Sequence, residues 1–153
     1  MKVAIYVRVS KRDMNPENQK FQLIKFVKDK GWDYEIFEEK ESTRKTRPIK
    51  AQLIQMLRER IFDGVIVWKL DRWARSLQEL MLELDELTAK NIDFIVMTAP
   101  IDTTSASGRL FIQILGAFAE FERDIIRERT MAGLDRARAQ GKRLGRPRKK
   151  RAK

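Results

Sequence analysis

The sequence predicts an α/β protein: a three-layer domain with a mostly parallel central sheet, followed by one long C-terminal helix. Three observations carry that prediction. Short, β-branched apolar runs recur between Val3 and Met97, as strands covered on both faces require. Amphipathic segments with helix-start and helix-stop residues separate them, giving the order β-α-β-α-β-α-β with short connections. From Ser105 to Gln140 there is no proline, and only three glycines weaken a continuous helical pattern.

Val3 to Val9 is short and largely apolar and reads as the first strand. Asn15-Pro16 starts a helix, because proline in the first turn forfeits no hydrogen bond. Phe21, Ile24, Val27 and Lys28 follow at helical spacing, and Gly31 closes the segment. Trp32 to Glu38 is a weaker strand, and Glu39 to Arg47, mostly charged and hydroxyl side chains, reads as a mobile loop. Pro48 opens a second helix carrying Leu53, Met56, Leu57 and Ile61. Gly64 to Trp68 is the clearest buried strand. Ser76 and Glu79 form a capping box ahead of Leu80, Leu84 and Leu87, on a helix ending near Asn91. Ile92 to Met97 is the last strand. These elements divide the chain into an α/β core over residues 1–104, the long helix over 105–140 and a basic extended arm over 141–153.

The long helix would measure about 54 Å, more than a domain of this size needs. Phe111, Ile114, Phe118, Phe121 and Ile125 step by 3, 4, 3, 4, which is the spacing of a helix-pairing seam. Leu110, Leu115 and Ile126 widen it, so that one flank can face the sheet and the other a partner chain. Past Arg127 the pattern fades into charge, with Arg136 and Arg138 near the end. Oligomerisation followed by projection onto a polyanion is one reading; simple closure of a monomer core is the other.

Composition narrows the chemistry. The 153 residues include no Cys and no His, which removes thiolate nucleophiles, disulfides, imidazole bases and the usual zinc sites. The net charge is +11, and residues 142–153 alone carry eight cations and no carboxylate. A nearly balanced body with a polycationic end suits a polyanionic partner, nucleic acid ahead of anionic membrane; a merely solubilising terminus is the plainer reading. No apolar run spans a bilayer and no signal peptide precedes the first strand, so a soluble intracellular protein is expected.

Open parallel sheets hold ligands beyond the carboxyl ends of their strands. The first strand ends in Arg8-Val9-Ser10, where alternation puts Arg8 and Ser10 on one side. The Gly64 strand runs into Lys69-Leu70-Asp71-Arg72-Trp73-Ala74-Arg75, and the intervening loop adds Arg44, Lys45 and Arg47. Guanidinium forks match phosphate oxygens and stay charged when half-buried. With imidazole and thiol absent, a hydroxyl is the available nucleophile; Ser10 is best placed, and Asp71 could exchange a proton or orient an arginine. Taken singly, Ser10 is equally a loop or cap serine, Asp71 half of a structural ion pair and Arg75 a helix-surface residue. No GxGxxG or GxxxxGK[ST] occurs, and the carboxylates a two-metal nuclease needs do not converge in the pattern.

Tyr6-Val7-Arg8-Val9-Ser10, Lys69-Leu70-Asp71-Arg72-Trp73-Ala74-Arg75-Ser76, the Ser105 to Leu110 helix entry, and Ala119 to Arg123 continuing to Arg127-Glu128-Arg129 together resemble the serine recombinases of the resolvase/invertase family, in order and over nearly the whole chain. The resemblance implies a resolvase-like domain with a dimerisation helix. It implies that Ser10 breaks a DNA strand and stays joined to its 5′ phosphate, that Arg8, Arg72 and Arg75 bind the phosphate, and that Asp71 is the active-site carboxylate. Gln19 matches a polar residue of the first helix, and Glu128 and Arg129 the late-helix pair. Arg47 matches the mobile-loop arginine, with Arg44 the alternative register. The family uses neither metal nor nucleotide, so no cofactor is expected. It acts on double-stranded DNA as a homodimer that pairs into a tetramer, cuts both strands, exchanges half-sites by subunit rotation and religates them. A cytoplasmic, nucleoid-associated location without membrane contact follows.

Such proteins commonly continue into a helix-turn-helix domain, and the dozen residues after Gly141 cannot fold one. The expectation is a catalytic domain separated from it, or a naturally short protein. Arg136, Arg138, Lys142, Arg143, Arg146, Arg148, Lys149, Lys150 and Arg151 are the expected DNA contacts, the last of them in an extended arm suited to a minor groove. Two other functions compete: a DNA-binding or assembly module without catalysis, and a small-molecule phosphotransferase, which would need a closed pocket.

Overall fold

The computed structural model describes residues 1–9, 16–40, 46–142 and 145. The chain divides into two units, Met1–Gly116 and Ala117–Lys153. The elements are β1 (Lys2–Val9), α1 (Pro16–Asp29), β2 (Asp33–Lys40), α2 (Pro48–Arg58), β3 (Gly64–Val67), α3 (Leu70–Trp73), α4 (Leu77–Ala89), β4 (Asp93–Val96) and α5 (Ala106–Ala139).

All pairings in the four-stranded sheet are parallel, in the order β2-β1-β3-β4. The chain adds β2 on one side of β1 and then crosses to add β3 on the other. Neighbouring connections therefore leave the carboxyl ends of β1 and β3 towards opposite faces, which opens the crevice where such sheets take ligands. Alternation along the strands builds two cores. Val3, Ile5 and Val7 pack with Leu23, Val27, Ile66 and Ile95 on the α1 face. Ala4, Tyr6, Val65 and Val67 pack with Leu53, Leu57, Trp73, Leu80, Leu84 and Leu87 on the α2–α4 face. Phe111, Ile112 and Leu115, from the start of α5, lie against this second cluster. The result is the expected three-layer α/β domain with a parallel sheet, ahead of a 34-residue helix.

Three local readings need correction. β2 extends through Glu39 and Lys40, expected in the loop, because they continue the register opposite Arg8 and Val9. α2 stops at Arg58 and does not carry Ile61. Arg60 takes the left-handed conformation at φ 57° and donates its N–H to Leu57 O, while Ile61 N–H reaches Met56 O. These are the paired bonds of a Schellman stop, here without its usual glycine. Finally, Leu70–Trp73 forms a single helical turn inside the cationic segment, where no helix is expected.

Candidate active site

β1 delivers Arg8 to the carboxyl edge of the sheet, opposite Glu39 of β2. Tyr6 lies two residues earlier on the same face, fully buried, with its ring edge-on to Trp73 at 5.4 Å between centroids. Ser10 and Arg44 lie outside the described residues. Arg47 immediately precedes α2, and its Nη1 donates to the Trp73 carbonyl oxygen. That bond joins the end of the loop to the α3 turn. Burial lowers the Arg47 pKa, and the nearby charges of Arg8 and Arg75 lower it further. Arg8, Arg47 and Arg75 therefore share one field, beside Tyr6.

The α3 turn presents Asp71 and Arg72 next to each other, with Arg72 Nε 3.6 Å from Asp71 Oδ2. Their exposures are opposite: the Asp71 side chain is 65% exposed and that of Arg72 only 17%. Arg75 sits between α3 and α4. Its backbone N–H donates to Glu79 Oε2 at 2.8 Å, while the Glu79 N–H donates to Ser76 Oγ at 3.1 Å. The capping box read from the sequence thus also fixes the backbone that carries Arg75.

Below the arginines lies a polar layer that sequence reasoning missed. Lys50, buried on α2, donates to Glu83 Oε1 at 2.7 Å and Oε2 at 2.9 Å and contacts Glu79 Oε1 at 3.4 Å. Its backbone N–H donates to buried Glu39 Oε2 at 3.0 Å. Burial pushes the Glu83 carboxyl up. Burial also raises Glu79, but the Arg75 N–H and the Lys50 charge outweigh it and leave that carboxyl low. A signal was present: Lys50 shares the stripe of Leu53 and Leu57 at i, i+3, i+7, where a cation must find partners.

Gln19 sits on α1, half-buried. Glu128 and Arg129 are exposed on the part of α5 in the second unit, as are Arg136 and Arg138 nearer its end. Arg138 pairs with Asp135 at 2.8 Å, and Lys142 is exposed. Arg143, Arg146, Arg148, Lys149, Lys150 and Arg151 lie outside the described residues. Along the apolar stripe Leu110, Ile114, Phe118 and Phe121 are exposed, while Phe111 and Ile125 are half-buried.

Chemically, several guanidinium groups at one sheet edge repel one another, and an anion with several oxygens relieves that repulsion while accepting their forked donors. A phosphodiester fits this description, and the same donors stabilise charge that builds during phosphoryl transfer.

A family model described as the N-terminal domain of resolvase matches residues 3–143. The serine recombinase gin of Escherichia phage Mu is 43% identical over 143 residues, which cover 93% of this chain and 70% of that protein. The chain belongs to the resolvase family of serine recombinases. The transposon Tn917 resolvase of Enterococcus faecalis is 41% identical to this recombinase over 146 residues, covering 94% of the recombinase and 75% of the resolvase. The crystal structure of the N-terminal catalytic domain of TP901-1 integrase superposes with a TM-score of 0.72 at 37% identity, over 82% of the recombinase and 98% of that domain. The fold and the family expected from the sequence are those found. Site-specific DNA recombination is accordingly the activity of the family to which this recombinase belongs. Among the described residues no helix is long and apolar enough to cross a membrane.

Proposed function

We propose that the recombinase cleaves and rejoins double-stranded DNA through Ser10. The Ser10 hydroxyl oxygen attacks the scissile phosphorus, and the bond from phosphorus to the 3′ oxygen breaks. The serine proton is passed on and the departing 3′ oxygen leaves as a hydroxyl. The 5′ phosphate remains joined to the serine. An incoming 3′ hydroxyl reverses these steps, so the phosphodiester energy is retained and no nucleotide or metal enters the balance.

Arg8, Arg47, Arg72 and Arg75 hold the phosphate oxygens, and Asp71 exchanges a proton or orients an arginine. Gln19, on α1, serves the same reaction, and so do Glu128 and Arg129 of α5. Paired homodimers form a tetramer, cut both duplexes and exchange half-sites by rotation. Leu110, Phe111, Ile114, Phe118, Phe121 and Ile125 form the seam between subunits. Arg136, Arg138, Lys142 and the basic arm follow the DNA, with recombination taking place in the cytoplasm at the nucleoid.

The observation that carries this reading is geometric: Arg8 ends β1 at the carboxyl edge of the sheet, and Arg47 is joined through the Trp73 carbonyl to the α3 turn that follows β3 and carries Arg72. On a nicked target duplex the protein is expected to form a denaturation-resistant covalent adduct through the 5′ phosphate, absent with Ser10→Ala. Arg8→Lys, Arg72→Lys and Arg75→Lys should each slow adduct formation far more than they weaken DNA binding, because a point charge cannot replace a fork. No adduct from a fully assembled tetramer–DNA complex would overturn catalysis and favour an assembly module.

A further inference from the structure

Lys50 has no part in the reaction described so far, yet its contacts run to β2, α3 and α4, the elements beside the site arginines of the first unit. Its side chain is 4% exposed, and a buried ammonium is strongly destabilising unless it is paired and hydrogen-bonded. The pairing is thorough. Both Glu83 oxygens and one Glu79 oxygen face the ammonium, which also sits 4.6 Å above the Trp73 ring.

Three of the residues that Lys50 contacts, Glu79, Trp73 and Glu39, lie one step from an arginine. The second Glu79 oxygen accepts the Arg75 backbone N–H. The Trp73 carbonyl accepts from Arg47, and Trp73 follows Arg72 directly. Glu39, which takes the Lys50 backbone N–H, is the register partner of Arg8. Lys50 itself follows Arg47 by three residues, in the first turn of α2.

Holding α2 against α4 does not require this lysine. Leu53 and Leu57 pack into the same apolar cluster as Leu80, Leu84 and Leu87, and Arg58 pairs with Glu86 at 2.6 Å further along the two helices. Buried ion pairs can commonly be replaced by apolar side chains of similar volume without loss of stability. What an apolar side chain cannot do is set the Glu79 carboxylate and the Trp73 ring at fixed positions relative to the start of α2.

We propose that Lys50 is a positioning residue for recombination. Through Glu83, Glu79 and Trp73 it fixes the backbone from which Arg47 and Arg75 reach the phosphate. The proposal rests on the reading of those two arginines as phosphate ligands.

The test uses the full chain and three measurements: thermal unfolding, duplex affinity and the rate of covalent adduct formation. Lys50→Met alone leaves the half-buried Glu83 and Glu79 carboxylates without their cation, so it is combined with Glu83→Gln. The double variant should unfold close to the wild-type temperature and bind duplex normally. It should form adduct at least about tenfold more slowly, within the roughly hundredfold that a misplacement of about 1 Å can cost. Glu79→Gln alone, which keeps the Lys50–Glu83 pair and weakens the hold on the Arg75 N–H, should slow the adduct at unchanged unfolding temperature. Wild-type adduct rates in a folded double variant or in Glu79→Gln, with Arg75→Lys slowed in parallel, would overturn the positioning role while leaving the phosphate reading intact. Normal rates in Arg47→Lys and Arg75→Lys would overturn the phosphate reading and this proposal with it.

Discussion

Tyr6 shows how much a single side chain reports about its surroundings. The ring is fully buried, and among the described residues its hydroxyl has no hydrogen-bond partner. Burial, aided by the Glu39 charge, pushes the phenol from 10.0 up to about 12, against the opposite pull of Arg47 and Arg8. The phenol is therefore a neutral O–H beside the arginines and adds no negative charge that would compete with a phosphate. The unfolded chain loses this proton near pH 10 while the folded chain keeps it to about 12. The unfolded state then binds fewer protons, so stability falls as pH rises across that window. In a Tyr34→Phe variant, which leaves Tyr6 as the sole tyrosine, the ultraviolet phenolate band should rise with a midpoint near 12. A midpoint at the ordinary value of 10.0 would mean that the phenol is solvated.

At the level of elements, the entry to α5 is set by one close approach. Ser105 Oγ accepts the Gly108 N–H at 3.0 Å and donates to Asp102 O at 3.1 Å, folding the preceding turn onto the first turn of the helix. A Cβ on Gly108 would stand 2.0 Å from Asp102 O, a backbone atom with no easy way to yield. Gly133, in the same helix, has nothing within 4 Å of where its Cβ would be. The two glycines should respond oppositely to one substitution. Gly108→Ala should destabilise by about 1–3 kcal/mol through overpacking, whereas Gly133→Ala should stabilise by about 0.5–1 kcal/mol through helix propensity. Chemical denaturation of the two variants checks both signs, and a stabilised Gly108→Ala would show that the turn is not seated on Asp102.

For the whole molecule, a +11 charge that keeps copies apart stands against an exposed apolar stripe on α5, the seam of the proposed dimer. Phe118 and Phe121 are 60% and 62% exposed, and Leu110, Ile114 and Ile126 are exposed on the same helix. Phe111, Ile112 and Leu115 instead pack on the chain's own cluster. The helix thus divides its apolar residues between two duties, and the exposed set is the part available to a second copy. Phe121→Ala should weaken self-association by roughly tenfold or more, as loss of a central aromatic anchor does, with little change in the unfolding temperature of the first unit. Sedimentation across a concentration series measures it; unchanged association in both Phe121→Ala and Phe118→Ala would place the interface elsewhere.

The amino-acid sequence by itself determined the layer architecture, the capping box at Ser76, the long helix and the chemical types at two strand ends. These are local properties: period, propensity and side-chain chemistry act over a few residues and can be read along the chain. Tertiary structure decided what depends on neighbours distant in sequence. Glu39 and Lys40 became strand because Arg8 and Val9 offered pairing, which no nearby residue could announce. Arg60 adopted a left-handed stop without glycine because the paired Schellman bonds compensated for its conformation. Arg47 was legible as one more loop cation, but its bond to the Trp73 carbonyl joins residues 26 apart. Lys50 was legible as a charge on an apolar stripe; that its ammonium meets Glu79 and Glu83 is a fact of helix packing, because charges find partners through space while patterns run along the chain.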